Sequence, residues 1–127
     1  MDTFAIKTVE EKRYDRHHSI DWWDQNRLKD SKILVAGAGA LGNEVLKNLA
    51  MLGVGNITVI DFDTVSITNL TRSVLFRESD VGLSKVKVAR QRALEINPEI
   101  EIQAIHGDLE FDLGIADVGV LLAAALR

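Results

Sequence analysis

Cysteine is absent from the 127 residues, and proline occurs once, at Pro98. Without cysteine there is no disulfide framework, no thiolate metal site and no thiol nucleophile within this chain. Long apolar runs are missing too. The longest one free of glycine, Val120 to Leu126, falls far short of the roughly 20 residues that span a bilayer. The opening "MDTFAIKTVEEKRYDR" lacks the positive-then-apolar layout of a signal peptide. Positive charge is not in excess: the net charge is -4, which argues against a basic nucleic-acid face. These absences read as a cytoplasmic protein that binds neither membrane nor nucleic acid.

The remainder is ordinary for a soluble globular chain, 46% hydrophobic and 27% charged. The length suits one small domain or part of a larger one. Residues 1–30 are polar and read as an N-terminal helical arm. Within it, Asp21, Gln25, Leu28 and Lys29 predict a short amphipathic helix closed by Ser31. Trp22 and Trp23 read as packing residues, one against the sheet and one at a dimer contact. Residues 31–127 read as a domain of their own, incomplete at its end.

"KILVAG" is a buried-looking strand. Leu41, Val45, Leu49 and Leu52 then recur at helical spacing until Gly53 and Gly55 interrupt. "NITVID" is a second strand, and residues 62–83 form a long polar loop. Ser84 predicts the N-cap of a helix reaching Ile96, with Val86, Ala89, Ala93 and Ile96 on one face. Lys85, Lys87, Arg90 and Arg92 fall mostly off that face and read as solvated. Asn97-Pro98 ends the helix. "EIEIQAI" alternates as a strand, and "VGVLLAAA" looks like a further buried one. Strands alternating with helices predict an α/β fold: a Rossmann-like, doubly wound, mostly parallel sheet, present as its N-terminal half. The first strand should lie between the second and the fourth.

Gly37, Gly39 and Gly42 fit G-x-G-x-x-G between that first strand and helix. The first glycine allows the tight turn, the second lets backbone approach a phosphate, and the third permits close helix–strand packing. The helix starting near Ala40 aims free N–H groups and its positive dipole end at that phosphate. Asp61, at the end of the second strand, is suited to accept both ribose hydroxyls and to repel a 2′-phosphate. The pattern points to an adenine nucleotide without choosing between NAD and ATP. Asp63, Asn69 and Arg72 follow in the loop. Lys85, in the first turn of a helix, opposes the helix dipole unless an anion lies nearby. With Arg16 in "RYDRH", these cations suit a triphosphate. His17, His18 and His106 do not converge on a metal-ligand pattern.

The segments "RYDRH", "GAGALG", "LGVGNITVIDFDTVSITNLTRSVLF", "DVGLSKVKVA" and "INPEIEI" resemble the ThiF/MoeB/HesA family, bacterial relatives of ubiquitin-activating enzymes. The resemblance runs from Arg13 to about Ile105. It implies adenylation with Mg-ATP of the C-terminal glycine of a ubiquitin-like or sulfur-carrier protein, and a homodimer. It implies that Gly39 and Ala40 line the phosphate loop and that Asp61 holds the ribose. Asn69 and Arg72 would meet the nucleotide, Lys85 would stabilise the transferring group, and Arg16 would reach into a neighbour's site. The family's magnesium-binding aspartate has no counterpart: Asp117 matches the start of its motif, but Ala124, Ala125 and Leu126 stand where the carboxylate belongs. Little adenylation is therefore expected from this chain alone, which reads as a partly represented family member. Two alternatives stay open. One is a non-catalytic nucleotide-binding or dimerisation partner of such an enzyme. The other, more distant, is an NAD-dependent oxidoreductase, which leaves Arg72 and Lys85 unused.

Overall fold

The computed structural model describes residues 10–108 and 120–123. Four strands, β1 (Lys32–Ala36), β2 (Asn56–Asp61), β3 (Glu101–His106) and β4 (Val120–Ala123), form one sheet in the order β3-β2-β1-β4. All three pairings are parallel, in registers that place Ala36 beside Ile60 and Asp61 beside His106. The first strand thus sits between the second and the fourth, the arrangement expected from sequence.

Parallel neighbours need crossovers, and helices α2 (Ala40–Leu52) and α3 (Lys85–Ile96) supply them. They pack on each other and on the face that carries Val35, Ile57, Val59 and Ile102, closing a core with Leu46, Ala50, Val86, Ala89 and Ala93. The face that α2 buries differs from the leucine spacing. Leu41 is exposed, Val45, Leu49 and Leu52 are half-buried, and the fully covered positions are Gly42, Asn43, Leu46 and Ala50. The large apolar side chains flank the contact, while small and amide residues let the first turn approach β1. Gly53 then ends α2 in the left-handed conformation, φ 83°, which a Cβ disfavours.

The arm contains a five-residue helix α1 (Gln25–Lys29), capped by Asp24 rather than starting at Asp21. Asp24 accepts from Asn26 and Arg27 N–H, and the Ser31 hydroxyl donates back to the Arg27 carbonyl. Within this chain the tryptophans contact the arm rather than the sheet. Trp22 is 80% exposed, and Trp23 lies beside the His17 ring with its indole N–H on Gln25. Among the described residues, no helix is long and apolar enough to cross a membrane.

Candidate nucleotide site

At the carboxyl end of β1 the chain must turn sharply into α2. Gly37 does so at φ 104°, a region that L side chains rarely adopt, while its N–H still extends the sheet to the Ile60 carbonyl at 2.8 Å. Ala38 is buried, and its N–H donates to Asp61 Oδ2 at 2.8 Å. Gly39 is the N-cap of α2, extended at φ -79° and ψ -159°, and no side chain caps the helix. A helix leaves its first N–H groups without internal partners. Here those donors open at the edge of the sheet with the dipole's positive end behind them.

Asp61 is more committed than a free ribose acceptor. Besides Ala38, it takes the Asp63 N–H on Oδ1 at 2.8 Å. It therefore braces the glycine loop against the segment after β2. A carboxylate offers about four lone-pair directions, so each oxygen retains capacity for a hydroxyl. Asp63 carries a second brace: its carbonyl accepts from the Lys85 N–H at 3.1 Å, and its Oδ2 lies 3.7 Å from Lys85 Nζ. Lys85 is buried while Asp63 stays half-open. The anion that balances a lysine in the first turn of α3 is thus already present in the chain as Asp63. Ser84 is the N-cap residue by position, yet its side chain makes no cap bond and pairs with His106 Nδ1 at 3.1 Å.

Residues 62–83 are stitched rather than loose. Short 3-10 turns form at Ile67–Thr71 and Glu78–Asp80. Val65 and Leu83 are bonded backbone to backbone, as are Gly82 and Val65. Asn69 turns its carboxamide oxygen back to the Ser66 N–H (2.8 Å) and hydroxyl (3.1 Å). Arg72 is exposed and donates to the Thr68 carbonyl at 2.9 Å, with no acidic partner among the described residues. Two buried groups anchor the loop to the helices. The Asn43 carboxamide accepts the Leu75 N–H, and Arg92 bonds both oxygens of Asp80 at 3.0 and 3.1 Å. Arg92, expected to be solvated, has a side chain only 11% exposed.

One end of the sheet therefore gathers Gly37, Gly39, Ala40, Gly42, Asp61, Asp63 and Lys85, and the Asn43–Leu75 bond draws in the segment of Asn69 and Arg72. Arg16 is not among them. Its neighbours bind the opposite end: Tyr14 accepts from Asn97 Nδ2, Arg13 donates to the Ile96 carbonyl, and His17 meets Gln25, whose amide holds the Leu52 carbonyl. The length of α2 separates this anchorage from the glycine loop, ~20 Å at 1.5 Å per residue. The three cations do not converge within one chain. Asp117, Ala124, Ala125 and Leu126 lie outside the described residues. Sequence reasoning missed Asn43, Asp80 and the Ser84–His106 contact. An amide directly after the third glycine, on the covered side of α2, was the available signal for the first.

These features can be set beside known proteins. The chain is 43% identical over 104 residues to the molybdopterin-synthase adenylyltransferase of Haemophilus influenzae, a match covering 80% of this chain and 43% of that protein. It is 61% identical over 80 residues to the NEDD8-activating enzyme E1 catalytic subunit of Caenorhabditis elegans, covering 59% of this chain and 19% of that protein. A crystal structure of Escherichia coli MccB with ATP superposes with a TM-score of 0.73 at 37% identity, over 81% of this chain and 32% of that one. The chain thus spans less than half the length of these relatives. The ThiF family model matches residues 14–119, and with this sheet, glycine loop and Asp61 in place, the chain belongs to the ThiF family.

Proposed function

We propose that this chain is the ATP-binding part of an adenylyltransferase that activates the C-terminal carboxylate of a ubiquitin-like or sulfur-carrier protein. The observation that carries the reading is the uncapped N-terminus of α2 beside Asp61 and Lys85, on a ThiF-family chain. The names of the two curated relatives support it, one an adenylyltransferase and the other a NEDD8-activating enzyme. In this reading Gly39 and Ala40 present backbone N–H groups to the phosphates, and Asp61 holds the ribose with its remaining lone pairs. Asn69 and Arg72 meet the nucleotide from the stitched loop.

A carrier carboxylate oxygen then bonds to the α-phosphorus as the bond from that phosphorus to the α–β bridging oxygen breaks. Pyrophosphate leaves with the electron pair. Positioning and charge stabilisation account for most of the gain in such transfers. Lys85 supplies the stabilisation, and to reach the transferring group it must exchange Asp63 for phosphate oxygens. Magnesium would neutralise the displaced phosphates. Its fit to the described residues is poor, because among them no group of three or more Asp, Glu or His side chains could hold the ion. Arg16, anchored at the far end, serves the site of a second copy, so the active form is a homodimer.

Equilibrium dialysis with labelled ATP tests the assignment. Arg72→Ala should weaken ATP binding by about tenfold or more, the loss of one or two charge-assisted contacts. Unchanged binding refutes the role of Arg72.

A further inference from the structure

We propose that Asn43 is the positioning residue that aims the glycine loop at the nucleotide's phosphates and sets its register with the loop carrying Arg72. This rests on the ATP-binding reading above and extends it to a residue that touches no ligand. Asn43 is completely buried. Its Nδ2 donates to the Ala38 carbonyl at 2.9 Å and to the Gly39 carbonyl at 2.8 Å, and its Oδ1 accepts the Leu75 N–H at 3.0 Å. Two carbonyls at one end and an N–H at the other fix the carboxamide orientation chemically.

Two consequences follow from peptide geometry. The Ala38 carbonyl and the Gly39 N–H belong to one trans peptide, and in a planar trans peptide they point in opposite directions. Holding the carbonyl inward on Asn43 turns the Gly39 N–H outward, and that N–H has no partner among the described residues. The Ala40 N–H is turned out by the Gly39 carbonyl, which accepts both the Asn43 backbone N–H at 2.9 Å and Asn43 Nδ2 at 2.8 Å. Leu75 lies three residues past Arg72, so the same carboxamide fixes how far the arginine's segment stands from the glycine loop. A hydrophobic residue of similar size would fill the space and release the Ala38–Gly39 peptide, while the Gly39 carbonyl would keep only its bond to the backbone N–H of residue 43 at 2.9 Å.

Calorimetric titration with ATP and, separately, with adenosine distinguishes this role from core packing. Adenosine shares the base and ribose but has no phosphate to meet the loop. Asn43→Leu should lower ATP affinity by about tenfold or more while adenosine affinity stays within about twofold. The Leu75 amide should be protected from hydrogen exchange in the parent chain and exchange freely in the variant. Equal loss of both affinities, or loss of neither, overturns the proposal. Where Asn43→Leu does not fold, the parent chain decides by NMR. ATP should shift the Gly39 and Ala40 amide resonances and adenosine should not; equal shifts, or none, overturn it. A parent chain that fails to bind ATP refutes the functional reading itself, a result separate from those outcomes.

Discussion

Replacing Arg92 with methionine should destabilise the chain by about 3–5 kcal/mol, the cost of leaving a buried charge without its partner. Arg92 NH2 meets both oxygens of Asp80, and the two side chains are 11% and 8% exposed. Methionine would keep most of the packed volume, so the charge is the main thing lost. Asp80 would retain only the Arg77 N–H at 2.8 Å. The second partner of Arg92, Glu95 at 3.6 Å, is 55% exposed, and a contact of that kind contributes about 0–1 kcal/mol. Total stability for 127 residues is on the order of 10 kcal/mol, so the substitution should remove a third or more of it. Urea denaturation followed by circular dichroism measures the change. The double variant Asp80→Ala with Arg92→Met should recover much of the loss, because no unpaired charge remains inside. A single-variant cost below about 1 kcal/mol would refute the reasoning and return Arg92 to the solvated helix face.

Other expectations concern glycines and the arm. Gly55→Ala should be severely destabilising, by about 3 kcal/mol or more, because its Cβ would overlap the Lys29 carbonyl. Gly82→Ala meets nothing within 4 Å and is strained only by its φ of +90°, so about 1–2 kcal/mol is expected; thermal melts that rank the two equally would contradict this. Tyr14→Phe removes one of the two acceptors of Asn97 Nδ2 and should cost about 1 kcal/mol in urea; no measurable change would mean that this bond does not help to hold the arm.

The strands, both crossover helices and the glycine loop were legible because each has a local signature: period 2, period 3.6, or glycines at fixed offsets. Asp61 was legible by its spacing from Gly42. What escaped depends on partners far away in sequence. Asn43 bonds Leu75, 32 residues on, and the leucine spacing placed the covered face of α2 elsewhere. Arg92 was judged by its helix face, yet Asp80, in the preceding loop, folds over that face and buries it. The dipole argument for Lys85 pointed to an anion near the first turn of α3, and Asp63, with Oδ2 3.7 Å from Lys85 Nζ, is one that the helix pattern did not name. The arm is a different case. Arg16 lies early in the chain, but Tyr14, Asn97 and Gln25 fix it to the far ends of α2 and α3, a placement set by tertiary hydrogen bonds alone.

The central claim is that the glycine loop and its surroundings serve ATP. Calorimetric titration of the chain with ATP, beside NAD under identical conditions, tests it most directly. Saturable ATP binding, tighter than NAD and weakened by Arg72→Ala, is the predicted result. Tighter binding of NAD, or binding of neither, would contradict the account.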